Sequence, residues 1–81
     1  MADVTHKPES ARFVSDDAFL SYVRDGDHLD IQHTVVPREL EGQGIGSALV
    51  RAAVEYAEAE GLRIVPTCSF AREWLARHSA A

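Results

Sequence analysis

The sequence predicts an α+β domain in which a mixed, mainly antiparallel sheet is flanked by two helices, in the order β-β-β-α-β-α. Three observations carry that prediction. Three strand-like segments follow one another through short polar turns, as in an antiparallel meander. A long amphipathic helix then leads to a short, branched apolar run, the pattern of a crossover to a parallel strand. A second amphipathic helix closes the chain.

Met1 to Ser10 is polar and reads as an N-terminal tail, so the domain is placed at residues 11–81. Arg12-Phe13-Val14 is a short strand candidate, followed by the polar turn Ser15-Asp16-Asp17. Ala18 to Arg24 contains Phe19, Leu20, Tyr22 and Val23, aromatic and branched residues suited to a pleated surface. Asp25-Gly26 is a turn signal. Leu29, Ile31, His33 and Val35 then alternate with Asp30, Gln32, Thr34 and Val36, which predicts a half-buried strand with His33 on its apolar face. Pro37 removes a donor and ends that strand. Ile45, Leu49, Ala52, Ala53 and Tyr56 share a helical face, and Ser47, Arg51, Glu55 and Glu58 take the other. Gly61 is a natural residue to follow a helix end. Leu62 to Val65 predicts a buried strand ended by Pro66. Ser69 caps a last helix with Phe70, Ala71, Trp74 and Leu75 as its apolar face.

Bulk properties narrow the function. Eighty-one residues fit one small domain. A chain of this size buries only roughly 60% of the surface its unfolded form exposes, so a ligand or a subunit partner can contribute to stability. A formal net charge of −5 argues against a general nucleic-acid binder and tolerates a cationic partner. One cysteine, Cys68, allows no intramolecular disulfide. No apolar run approaches the ~20 residues of a membrane span, and no signal-peptide pattern opens the chain. These features point to a cytoplasmic protein. His6, His28 and His78 show no metal-ligand spacing with Cys68, and no metal is assigned.

The chemistry concentrates in Glu41-Gly42-Gln43-Gly44-Ile45-Gly46, between the third strand and the long helix. Alternate glycines free the turn of side chains, its N–H groups can close on a bulky anion, and the helix directs its positive dipole end to the same spot. A P-loop is excluded, because Gly46 is followed by Ser47-Ala48 rather than Lys and then Ser or Thr. A dinucleotide fingerprint is excluded too, for want of its third glycine and of an acidic residue about 20 positions on.

The same stretch resembles the GNAT superfamily of N-acetyltransferases. Glu41-x-x-Gly44-x-Gly46 stands where that family has its pyrophosphate loop. A longer run agrees: His33-Thr34-x-Val36-Pro37, Leu40-x-Gly42-x-Gly44-Ile45-Gly46-x-x-Leu49-Val50, Tyr56-Ala57, Gly61-Leu62, Pro66-x-Cys68-x-Phe70 and Arg77-His78. The run is similar to the small single-domain GNAT-like proteins. The resemblance implies a three-layer αβα arrangement with acetyl-CoA in the gap between two splayed strands. It implies that the backbone of Thr34, Val35 and Val36 binds pantetheine or the thioester carbonyl. The amides of Gln43, Gly44, Ile45 and Gly46 would hold the pyrophosphate, with Cys68 and Phe70 flanking the cofactor. There are departures. Glu41 replaces the family's Gln or Arg, the N-terminal helices that shape the acceptor site are missing, and Phe70 and Trp74 stand where a catalytic tyrosine is often found.

Cys68 and His33 are the catalytic candidates. Cys68 lies between a strand and a helix, where a dipole can lower its pKa, and it would protonate the leaving thiolate, act as a nucleophile, or only wall the cofactor. His33 would take a proton from an ammonium acceptor; the alternative is a packed core histidine. Glu39 and Glu41 are carboxylates near the loop, more simply read as a solvated turn. The expected reaction is attack of an unidentified amine, on a small molecule or a protein, on the acetyl thioester, with a backbone N–H near Val36 as oxyanion donor. The competing expectation is a non-catalytic CoA-binding or interaction module. An acceptor groove this open could also be completed by a second subunit in a homodimer.

Overall fold

A computed structural model describes residues 3–78. It contains five strands and two helices: β1 (Thr5–Lys7), β2 (Arg12–Ser15), β3 (Ala18–Asp25), β4 (His28–Val35), α1 (Ile45–Glu60), β5 (Arg63–Pro66) and α2 (Ser69–His78). Short 3-10 turns occupy Pro8–Ser10 and Arg38–Leu40. The strands lie in sequence order in one sheet, antiparallel from β1 to β4, and β5 joins β4 in parallel after the α1 crossover. The expected mixed α+β fold is therefore the one observed.

The expected N-terminal tail is not one throughout. Thr5–Lys7 pairs with Arg12–Val14 as the edge strand β1. Its single inward residue is a histidine, which hid the strand from an apolar-pattern reading. His6 stacks on Phe13 with ring centroids 4.2 Å apart, meets Tyr56 edge-on at 4.5 Å, and places Nε2 2.6 Å from the Tyr22 hydroxyl. Burial holds the His6 pKa below the ordinary value, and Glu9 only partly offsets this. The folded state therefore binds this proton less tightly than the unfolded chain, and stability falls as pH drops below about 6.5. The urea midpoint should fall between neutral pH and mildly acidic pH in the parent and stay nearly level in His6→Gln; equal slopes in both would refute the assignment.

Alternation puts Phe13, Leu20, Tyr22, Leu29 and Ile31 on one face of the sheet, where α1 covers them with Ile45, Leu49, Val50, Ala53 and Ala57. Leu20, Leu29, Ile31, Leu49 and Val50 are fully buried. α1 ends in a Schellman motif: Gly61 N–H donates to Glu58 O and Leu62 N–H to Ala57 O, with Gly61 at φ +68°. That use of Leu62 moves β5 one residue later than Leu62–Val65. α2 buries Ala71 and Trp74 in the same core and leans on α1: the Phe70 ring lies against Gly46, and the Arg51 guanidinium is 6.0 Å from the Trp74 ring centre.

One irregularity changes what β4 presents. Ile31 pairs with Tyr22 and His33 with Ser21, so Gln32 is an extra residue, a β-bulge. Beyond it the alternation inverts. Thr34, opposite Leu20, joins the core face, while His33 and Val35, opposite Ser21 and Phe19, take the other. His33 therefore does not share the face of Leu29 and Ile31, as strict alternation predicts. Val23 and Val35 are 46% and 43% exposed on that second face, so no third layer covers them among the described residues.

Candidate active site

β5 follows β4 only as far as Ile31, opposite Pro66; Cys68 N–H makes one more bond to Ile31 O at 2.9 Å. The chain then turns into α2. β4 continues to Val35, so from Gln32 onward its outer backbone edge has no strand beside it. Pro66 and the Cys68 turn thus open a fork, and the glycine loop closes the fork's far end.

A cavity of about 420 Å³ fills this corner. Thr34 and Val36 supply one wall, Leu40 an apolar patch, Glu41 a carboxylate at the rim, Phe70 the opposite side, and Gly42, Gly44, Ile45, Gly46 and Ser47 the floor. The volume suits a ligand, since small-molecule sites commonly measure about 300–1,000 Å³. Gly42 and Gly44 have φ of +83° and +77°, a left-handed region that most side chains avoid, and a Cβ on either would meet only open space. Gly44 begins the helix: the first intrahelical bond is Ala48 N–H to Gly44 O, which leaves the N–H groups of Ile45, Gly46 and Ser47 without helical acceptors. No acidic residue sits in the first turn. Backbone N–H groups so placed, at the positive end of a 16-residue helix, are able to receive an anion. Gly46 is glycine for a different reason. Its backbone is helical, and a Cβ there would stand 2.9 Å from the Phe70 ring, so its small size sets the approach of α2 to α1.

Cys68 is half-buried beside the cavity wall, and its thiol donates to Thr34 Oγ1 at 3.6 Å. Burial pushes the thiol pKa up. As the thiolate, however, the sulfur accepts hydrogen bonds from the Ala71 amide, the Thr34 hydroxyl, and the Phe70 and Thr34 amides; these more than offset burial, and the thiol is more acidic than an ordinary cysteine. The bulge makes this contact: it turns Thr34 inward.

The fold thus brings Thr34, Val36, Gly44, Ile45, Gly46 and Phe70 to one cavity, with Cys68 adjoining it. The side chains of His33 and Val35 lie on the other face of the sheet, and Gln43 lines a neighbouring groove with Val4, Ala48 and Arg51 that shares Gly44 and Ser47 with the first. Leu40, Glu41, Gly42 and Ser47 line the cavity without having been assigned as binding residues. Leu40 carried a usable signal, as the one large apolar side chain in a polar turn. Among the described residues there is no group of three or more His, Cys, Asp or Glu able to hold a metal, and no helix is long and apolar enough to cross a membrane.

The molecule is thus a forked α+β sheet whose fork opens beside a glycine turn and a helix N-terminus. A family model for the GCN5-related N-acetyl-transferases matches residues 11–81, and the chain belongs to that family. The fold is also similar to the solution NMR structure of a GCN5-like protein from Staphylococcus aureus. The two superpose with a TM-score of 0.78 at 31% identity, over 98% of this chain and 82% of the other. The family's chemistry is N-acetyl transfer.

Proposed function

We propose that the protein is a cytoplasmic N-acetyltransferase that binds acetyl-CoA in the fork between β4 and β5 and passes the acetyl group to an amine. The observation that carries this reading is the free edge of β4 from Gln32 to Val35, which ends at a helix N-terminus with three unsatisfied N–H groups. An extended amide chain such as pantetheine pairs with a strand edge, and a diphosphate fits the open, side-chain-free floor at Gly42 and Gly44. When bound, acetyl-CoA supplies the activated acetyl thioester.

The backbone of Thr34, Val35 and Val36 would hold and orient the pantetheine arm, with the Val36 N–H directed to the thioester carbonyl oxygen. The amides of Gln43, Gly44, Ile45 and Gly46 would hold the diphosphate, and Phe70 would exclude water from one side. Cys68 Sγ–H, kept acidic by Thr34 and the start of α2, would give a proton to the departing thiolate. His33 lies on the sheet face away from Thr34, the side from which an amine can approach, and would accept the ammonium proton there.

The direct test is a thermal shift. Acetyl-CoA at about 100 times its dissociation constant should stabilise the fold by about 2.7 kcal/mol and raise Tm by several degrees, while NAD should not. A level melting curve at millimolar acetyl-CoA, in folded protein, would falsify the assignment.

A further inference from the structure

We infer that the uncovered face of β1–β4 is the acceptor's docking surface, and that the acceptor amine is carried by a polypeptide segment with carboxylates beside apolar side chains. This rests on the acetyl-transfer reading above and adds a substrate class to it.

The strand register lays two rows across this face. Val35 stands opposite Phe19, Phe19 opposite Val14, and Val14 opposite Thr5, giving an apolar row that crosses three strands. Beside it, His33 stands opposite Ser21, Ser21 opposite Arg12, and Arg12 opposite Lys7. Facing cross-strand residues project to the same side. The second row therefore gathers two cations and an imidazole, and Lys7, Arg12 and His33 are all exposed. The Arg12 guanidinium sits 4.1 Å from the centre of the Phe19 ring and joins the two rows.

The chain as a whole carries a net charge of −5, which taken alone favours a cationic partner. Local charge decides otherwise. Asp16 and Asp17 lie at the β2–β3 turn, about four residues or ~13 Å along the chain from Arg12, and fields between exposed charges are screened over about 8 Å at physiological salt. Glu9, in the turn between β1 and β2, is nearer along the chain, but its charge acts on His6 and Tyr22 at the opposite face. Asp30, opposite Val23, bounds the strip on its other side and has one carboxylate oxygen shielded from solvent. A segment lying on the strip meets apolar side chains and cations first. The strip also reaches the chemistry: His33 and Val35 flank Thr34, whose hydroxyl meets Cys68. A segment bound there delivers its amine at the free β4 edge.

The test uses two fluorescein-labelled, N-terminally blocked peptides of equal length and equal Leu and Val content. One carries Asp and Glu, the other Arg at the same positions. Anisotropy titrations of the full chain should show the acidic peptide binding about tenfold tighter than the basic one, weakening in high salt. Arg12→Glu and Lys7→Glu should each weaken the acidic peptide by about fivefold or more, with acetyl-CoA affinity unchanged as evidence of an intact fold. The proposal is overturned if the basic peptide binds as well, if neither binds, or if both variants match the parent. Tighter binding of single-stranded DNA than of the acidic peptide, or a dimer in sedimentation that Arg12→Glu dissolves, would also overturn it. If acetyl-CoA fails to bind while Arg12-dependent peptide binding persists, the docking surface stands and the transferase reading falls.

Discussion

Gly44→Val should lower acetyl-CoA affinity by at least about 100-fold. On the proposed reading the diphosphate is held by charge-assisted bonds from backbone N–H groups, worth about 1.5–3 kcal/mol each, so losing two suffices for a loss of that size. Valine acts twice at this position. Its side chain enters the open floor of the cavity, and its β-branched backbone resists φ of +77°. The strain, of order 1–3 kcal/mol, is small enough for the domain to remain folded. Gly44→Asn separates the two effects, because asparagine tolerates left-handed φ and adds bulk alone. Titration calorimetry on folded Val and Asn variants should show both weakened, with Val the worse. Parent-like affinity in Gly44→Val would move the phosphate site elsewhere. Gly46→Ala tests a different contact, since the added methyl meets Phe70 and should loosen α2 against α1.

Cys68→Ala should reduce kcat by about 10²–10⁴-fold with acetyl-CoA affinity nearly unchanged, the signature of a lost proton donor. The pH profile gives the sharper reading. A general acid works only while protonated, so the rate falls as pH rises through its pKa. Because the Ala71, Thr34 and Phe70 hydrogen bonds outweigh burial at this thiol, the alkaline limb should lie at lower pH than an ordinary cysteine would give. Thr34→Val removes the hydroxyl 3.6 Å from Sγ and should move that limb to higher pH. Cys68→Ala should lose the limb altogether. An undiminished rate in Cys68→Ala would leave a transferase acting by positioning, with solvent supplying the proton.

Much of this molecule was legible in its residues because local rules decided it. The Gly61 ending, Pro66, the amphipathic periods of both helices and the alternation from Leu29 to Ile31 all act within a few residues of themselves. The glycine loop was legible for the same reason: a strand end, three glycines and a helix start set its backbone geometry without help from the rest of the fold. β1 was not legible, since its inward residue is His6 and its reward comes from Phe13, Tyr22 and Tyr56, distant in sequence.

The fold class, the family and the glycine turn ahead of α1 could all be read from the residues in order. Which way β4 faces was settled by packing between strands. A single extra residue at Gln32 inverts the alternation, turning Thr34 toward Cys68 and placing His33 and Val35 on the open face. No periodicity in β4 announces that bulge, because it exists only in the register between β3 and β4, a relation between strands. The reason for Gly46 was equally out of reach, for it lies in the Phe70 ring of a helix more than twenty residues further along the chain.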